Sequence, residues 1–394
     1  MIQRVEIKEL TERLKEPRKF IQVIVGPRQV GKTTMVTQAL EQIDIPHLFF
    51  SADKIFASDE WLAEKWQSAR LMVQSQGLEQ LIVVIDEVQK IPNWSERVKK
   101  EWDLDTFNHL PIKLVLLGSS RLMIMNGLTE SLAGRFELIR MTHWTWAEMH
   151  EAFGWDLDTY IYYGGYPGAA EMIADEDRWR NYVENAILEA SINKDVLQTS
   201  NIYKPALLRQ LFTICCAYSG EELSFRKMLG NLQEAGNATT LANYLHLLSE
   251  ANLVSGLQKY ARDKARKYNS TPKLQVFDNA LMNVYNQTTF ATVRTDAALW
   301  GRQVESAVGS YLLSQAEKHR MQVYYWRENN AEVDFILQRG LSIVAIEVKS
   351  NNASTNAGLH LFSNKYKPLQ AFVVGNEGIP LTDFLQTDLR LLFR

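Results

Sequence analysis

Cysteine is nearly absent from this chain. The 394 residues include 2, the adjacent pair Cys215-Cys216, and neighbouring cysteines rarely bridge. No spaced partner exists for a disulfide framework or a zinc site, so the pair reads as two small buried residues in a reducing compartment. Long apolar runs are missing too. No stretch approaches the roughly 20 residues of a membrane-spanning helix. The opening Met1-Ile2-Gln3-Arg4-Val5-Glu6-Ile7-Lys8 has charges spread through it and no apolar centre, unlike a secretory leader. Nor is there an excess of one charge: the net is -3 with pI ≈ 6.2, so any nucleic-acid surface has to be local. These absences point to a cytoplasmic chain with no membrane partner. What is present is ordinary for a folded protein, 46% hydrophobic and 23% charged, and the length allows two to four domains.

The most specific stretch is Gly26-Pro27-Arg28-Gln29-Val30-Gly31-Lys32-Thr33, which reads G-x-x-x-x-G-K-T. Before it, Phe20-Ile21-Gln22-Val23-Ile24-Val25 is an apolar run that reads as a buried strand. After it, Thr34-Met35-Val36-Thr37-Gln38-Ala39-Leu40 has helical composition. A glycine-rich turn in that setting turns bare backbone N–H groups toward phosphate oxygens at the positive end of a helix. Gly26 to Thr34 are therefore the expected ATP-binding residues, with Lys32 on the outer phosphates and the Thr33 hydroxyl on Mg²⁺.

Residues 1–150 alternate strand and helix, the pattern of a parallel sheet with helices on both faces. Expected strands are the one before the loop, then His47–Ala52, Leu81–Glu87, Ile112–Ser119 and Phe136–Met141. Helices such as Glu60–Gln76 and Trp94–Phe107 separate them. The run Leu81-Ile82-Val83-Val84-Ile85-Asp86-Glu87 ends in an acidic pair, and a carboxylate at the C-terminal edge of a parallel strand projects into the ligand crevice. Asp86 is placed to hold Mg²⁺, and Glu87 to polarise the water that attacks the γ-phosphate. The next strand ends Leu116-Leu117-Gly118-Ser119-Ser120-Arg121; Ser119 or Ser120 is the candidate γ-phosphate sensor, and the residues do not choose between them. In Ser131-Leu132-Ala133-Gly134-Arg135-Phe136, Arg135 is the candidate to face a neighbouring subunit's nucleotide, with Arg121 and Arg140 as alternates. That role requires a homo-oligomer.

The phosphate loop with Arg28-Gln29, the Asp86-Glu87 strand, the Gly118-Ser119-Ser120 turn and Leu132-Ala133-Gly134-Arg135 together resemble the AAA+ ATPases. The nearest likeness is to the prokaryotic branch that carries an uncharacterised C-terminal domain. The resemblance covers most of residues 1–150 and implies a five-stranded core in the order 5-1-4-3-2, followed by a small helical lid. Residues 151–203 fit the lid and contain a strong turn signal, Tyr162-Tyr163-Gly164-Gly165-Tyr166-Pro167-Gly168.

Residues 204–290 read as helices Lys204–Ala217, Leu223–Gln233 and Thr239–Ala251, the last behind an N-cap signal at Asn237, and then a hairpin of Leu253–Tyr260 and Lys273–Phe277. The order resembles a winged helix, which implies DNA contact through the third helix and the wing. Lys259, Arg262, Lys264, Arg266, Lys267 and Lys273 form the densest basic cluster, and Arg262, Lys264, Arg266 and Lys267 are the expected DNA contacts. The same charges suit a solvated hairpin tip, and winged helices also dock proteins.

Residues 291–394 read as helix Gly301–His319, strands Gln322–Glu328, Glu332–Leu337 and Ile343–Lys349, helix Ala357–Tyr366 and strand Gln370–Val374. This αβββαβ order, with Asp334 followed by Glu347-Val348-Lys349, resembles the PD-(D/E)XK nuclease core. Glu347 and Lys349, two apart, share a strand face. Asp334 and Glu347 interrupt apolar strands, where unpaired buried charge is costly. The resemblance implies that Asp334, Glu347 and the helical Glu305 hold Mg²⁺ while Lys349 orients water and stabilises developing charge. The expected fold is thus α/β: a P-loop AAA+ core, a helical lid, a winged helix and a C-terminal nuclease-like domain. The expected function is a Mg²⁺-dependent ATPase coupled to DNA processing, with metal-dependent cleavage as an added activity. The alternative is a nucleotide-dependent signalling or defence switch whose C-terminal domain only recognises a partner.

Overall fold

The computed structural model describes residues 2–53, 59–118, 121–197, 202–232, 236–262, 270–286, 288–350 and 356–394. Two compact units divide the chain: Met1–Met141 with Asn193–Thr199, and Thr142–Ile192 with Ser200–Arg394. Among the described residues, no helix is long and apolar enough to cross a membrane.

The first unit is built on five parallel strands, β1 (Ile21–Val25), β2 (His47–Ser51), β3 (Leu81–Asp86), β4 (Ile112–Leu117) and β5 (Phe136–Arg140). Their order is β2-β3-β4-β1-β5, the 5-1-4-3-2 arrangement. The three inner strands are buried along their length, as continuous apolar runs such as Leu81-Ile82-Val83-Val84-Ile85 require when helices cover both sheet faces. The two edge strands are half-buried, and their composition is correspondingly mixed. Because β1 lies between β4 and β5, the chain leaves it toward one side of the sheet and returns on the other. The loop after β1 therefore opens at the switch point where such sheets bind ligands. β3 ends at Asp86, one residue earlier than expected, because Glu87 turns into the left-handed region at φ 56°.

The second unit contains helices and one mixed sheet. The segment expected as a single lid is divided: residues 142–192 pack with this unit, and 193–199 with the first. Helix Trp146–Phe153 begins with a capping box in which Thr145 and Glu148 satisfy each other's backbone N–H groups. Helices Pro205–Ala217, Phe225–Gly230 and Ala238–Glu250 follow, and Asn237 caps the last by accepting from the Thr240 N–H at 2.8 Å. The second of these is shorter than expected, since Ser224 caps it and it ends at Gly230. Cys215 and Cys216 are both buried and free on the first.

The hairpin strands β6 (Val254–Lys259) and β7 (Lys273–Val276) are antiparallel. They continue into β8 (Gln322–Glu328), β9 (Ala331–Arg339), β10 (Ser342–Lys349) and β11 (Gln370–Gly375), in the order β11-β10-β9-β8-β6-β7. The junction is a parallel pairing of β6 with β8 at Gln258–Tyr324 and Lys259–Tyr325, so the boundary expected near residue 290 falls within one sheet. Helix Ala297–Lys318 packs on that sheet and starts four residues before the expected point. Asp296 sets its start, accepting from the N–H groups of Ala298 and Leu299 at 2.9 Å.

The Tyr162–Gly168 turn is held by Asp278, which follows β7. Its carboxylate accepts from the Gly165 N–H at 2.7 Å and the Ala280 N–H at 2.9 Å. Burial pushes the Asp278 carboxyl up to about 7, against the pull of these two donors. Asp278→Ala strands both N–H groups and is expected to destabilise the second unit by about 2–4 kcal/mol. Thermal denaturation should show a loss of several degrees; an unchanged midpoint would mean that the turn is held otherwise.

Candidate functional site

The loop after β1 is shaped by two glycines. Gly31 sits at φ 87°, in the left-handed region, and caps helix Lys32–Leu40. A Cβ on Gly26 would stand 2.5 Å from the Met141 carbonyl oxygen, so only bare backbone fits there. Lys32 and Thr33 begin the helix. The Lys32 ammonium is buried and donates to the carbonyl oxygens of Gly26 (3.0 Å) and Pro27 (2.6 Å). Burial lowers its pKa to about 8, opposed by the nearby charges of Glu87, Asp195 and Asp86.

Across the sheet edge, the Thr33 hydroxyl donates to Asp86 Oδ2 at 2.9 Å, and the Glu87 N–H donates to Asp86 Oδ1 at 2.8 Å. Burial raises the Asp86 carboxyl, partly offset by the Thr33 bond. The Glu87 carboxylate accepts from the Gln89 amide at 2.8 Å and lies 3.7 Å from Lys90. Lys32, Thr33, Asp86 and Glu87 thus stand together at one edge of the sheet. Ser119 and Ser120, the candidate sensors, lie outside the described residues, and the side chain of Arg121 is likewise undescribed. Gly118, just before them, follows β4, the strand between β3 and β1.

Arg28, expected on the nucleotide, is held bidentately by Asp195, from its Nε and Nη2 to the two carboxylate oxygens at 2.6 Å. Asp195 is buried, which raises its pKa against the lowering effect of Arg28. This residue was not legible in the sequence: it is 167 positions from Arg28, in a stretch without motif. Arg135 lies just before β5, at the sheet edge opposite the phosphate loop, where Asp103 binds its guanidinium at 2.7 and 3.0 Å. It therefore cannot reach its own chain's loop. Arg140, at the other end of β5, is in register with Val25 beside the loop.

The second set of expected site residues falls in the second unit. Asp334 on β9 accepts the Val348 N–H at 2.8 Å through Oδ2, and Lys349 donates to Glu347 Oε1 at 2.7 Å on β10. Glu305, on helix Ala297–Lys318, lines the same pocket as Asp334, and Glu347 is not part of that wall. Between Glu305 and Asp334 stands Lys273, whose ammonium is 2.5 Å from Glu305 Oε1 and 3.8 Å from Asp334 Oδ1. This corrects the placement of Lys273 in the surface basic cluster. The residue is buried at the start of β7, a strand buried throughout, and its charge is answered by carboxylates. A lone charge heading the run Lys273-Leu274-Gln275-Val276 was the available signal. Burial pushes Glu305 up to about 7 against the pull of Lys273, and burial followed by the Asp334 charge does the same to Glu347. Among the described residues, no group of three or more His, Cys, Asp or Glu side chains is gathered to hold a metal ion.

Of the expected DNA contacts, Lys264, Arg266 and Lys267 lie outside the described residues. Arg262 is described: it donates to the Tyr366 carbonyl oxygen at 3.4 Å and lies 5.8 Å from that ring's centre.

Residues 18–150 match the AAA domain family, a match that falls mostly within the first unit. Residues 154–291 match a domain of unknown function (DUF8612), and residues 300–385 another (DUF4143). The chain is 25% identical over 334 residues to uncharacterised proteins of Mycobacterium tuberculosis and Mycobacterium bovis, which covers 83% of this chain and 69% of each relative. Similar solved structures include Aeropyrum pernix ORC1 in complex with DNA, at 13% identity and a TM-score of 0.32, over 73% of this chain and 92% of that one. AMPPCP-bound DnaA from Aquifex aeolicus is 16% identical with a TM-score of 0.33, over 62% of this chain and 86% of its own. A Thermotoga maritima RuvB variant is 17% identical with a TM-score of 0.30, over 66% and 90%.

The Arg28–Asp195 pair ties the phosphate loop to the 193–199 segment. Asp195→Ala leaves a largely buried guanidinium without its carboxylate. The expected cost is about 1–3 kcal/mol, read as a lower thermal midpoint for the first unit. An unchanged midpoint would show that the pair does not hold the loop.

Proposed function

We propose that this chain is a Mg²⁺-dependent ATPase whose turnover is coupled to DNA engagement. One observation carries the reading: Lys32, Thr33 and Asp86 converge at a single sheet edge, with the Thr33 hydroxyl 2.9 Å from Asp86 Oδ2. A hydroxyl and a carboxylate oxygen facing each other are hard donors that suit Mg²⁺. Thr33 and Asp86 would hold the ion, which when bound neutralises phosphate charge. The N–H groups from Gly26 to Thr34 bind the triphosphate. Lys32 exchanges the Gly26 and Pro27 carbonyls for the outer phosphates. Glu87, freed from Gln89 and Lys90, accepts a proton from the attacking water.

Arg135 fits a part in this reaction only through a second copy of the chain, since it lies at the far edge of its own sheet. DNA engagement is assigned to residues 204–290, where three helices and a hairpin resemble a winged helix and the sequence from β6 to β7 contains Arg262, Lys264, Arg266 and Lys267. A reducing, cytoplasmic setting fits the two buried thiols.

A second reading is favoured by one specific observation. Lys273 stands among the carboxylates expected to hold metal in the 291–394 region. That placement supports a nucleotide-dependent switch whose C-terminal domain recognises a partner without cleaving it.

Phosphate release by wild-type and Glu87→Gln protein, with and without duplex DNA, tests the assignment. The variant is expected to retain ATP binding and to lose turnover by about 10²-fold or more. Turnover at the wild-type rate would remove Glu87 as the base, and a wild-type rate indifferent to DNA would favour the switch.

A further inference from the structure

The pocket beside β7 has a volume of ≈ 380 Å³, and its wall includes Glu222, Lys273, Glu305, Tyr325, Arg327 and Asp334. Most of its charges are already answered. Arg327 lies 3.1 Å from Glu222 and 3.7 Å from Glu332. The Tyr325 hydroxyl donates within this wall, with the Thr271 carbonyl at 2.5 Å and Glu222 Oε2 at 3.0 Å. The Lys273 ammonium is buried, against Glu305 and Asp334 and 4.9 Å from the centre of the Phe335 ring.

We infer that Lys273 is a tethered cation occupying the position that a divalent ion would need between Glu305 and Asp334. While β7 is seated in the sheet, it closes this carboxylate set to metal. The geometry makes the two occupants exclusive. An ion held by both carboxylates needs oxygens about 2.0–2.6 Å away, within the space the ammonium fills. The two positive charges would also repel at close range in a poorly solvated pocket. The closing residue comes from the hairpin, not from the αβββαβ core: Lys273 is the first residue of β7, while Glu305, Asp334 and Glu347 lie on the helix and strands that follow. Its position is fixed twice over. β7 pairs with β6, and the Lys273 backbone forms an antiparallel β-bridge with that of Glu222 on the opposite side. Lys349 compensates Glu347 on β10 in the same way, at 2.7 Å.

The inference rests on reading Glu305, Asp334 and Glu347 as a nuclease-like acidic set, and the experiment separates the two. Mn²⁺ binding to the 394-residue, nucleotide-free chain is followed by electron paramagnetic resonance. Five proteins are compared: wild type, Lys273→Met, Lys273→Arg, Glu305→Gln and Lys273→Met/Glu305→Gln. Lys273→Met removes the charge at similar length, and thermal denaturation reports whether it folds. Lys273→Met is expected to gain one Mn²⁺ per chain, bound at least tenfold more tightly than any second-unit binding in wild type. Adding Glu305→Gln should abolish the gain, and Lys273→Arg should show none. If wild type binds a Mn²⁺ ion that Glu305→Gln alone removes, Lys273 does not close the site, although the acidic set is real. If folded Lys273→Met gains nothing, the carboxylates are not a metal set and both readings fail. If Lys273→Met does not fold, the wild-type and Glu305→Gln titrations still decide, since a Glu305-dependent site in wild type overturns the inference.

Discussion

The first unit is arranged around a buried ammonium. Lys32 lies under its own loop, donating to two backbone carbonyls, in a setting that burial makes costly enough to bring its pKa down to about 8. Neutral carbonyls are weak partners for such a charge, and the surrounding carboxylates Glu87, Asp195 and Asp86 offset the cost only in part. A triphosphate would offer the same ammonium full negative charges at the same place. The unliganded arrangement is thus one that an anion improves, and the rest of the edge follows the same logic. Thr33 and Asp86 satisfy each other, Gln89 holds Glu87, and Asp195 holds Arg28. Each polar group is paired with a partner that a nucleotide complex can replace or leave in place.

The second unit meets the same problem in the opposite sense. There the buried groups are mainly carboxylates, and the answering cation is the protein's own Lys273. Burial alone lowers a lysine pKa, yet here Glu305 and Asp334 more than compensate and the Lys273 pKa is raised. One buried lysine therefore waits on an external anion, while the other is already neutralised by internal ones. Removing one partner from such a matched set leaves a buried charge exposed to a strong penalty. That coupling ties the β6–β7 hairpin to the sheet beside it.

Much of the first unit was legible because its information is local. Apolar runs of five or six residues mark the buried strands, and the glycines and Lys32-Thr33 of the phosphate loop are contiguous. Asp86 was readable as the polar end of an apolar strand. The 5-1-4-3-2 order came from the family resemblance, since pairing between distant strands leaves no mark in residue spacing. Contacts made across long sequence separations stayed hidden for the same reason. Asp195 meets Arg28 across 167 residues, and Asp278 meets Gly165 across 113. Lys273 was assigned to a surface cluster because charge density along the chain says nothing about which side of a strand faces inward. Its neighbours Leu274 and Val276 indicated burial of the strand, but β7 is covered on both faces, so alternation did not apply.

The central claim is that the loop lysine and its neighbours form a triphosphate site. Its most direct test is a calorimetric titration of a non-hydrolysable ATP analogue with Mg²⁺ into the full chain and into the Lys32→Ala variant, both checked for folding. The account predicts saturable one-to-one binding that weakens at least 100-fold when Lys32 is removed. Equal affinity in the two proteins, or no binding by the folded wild type, would contradict it.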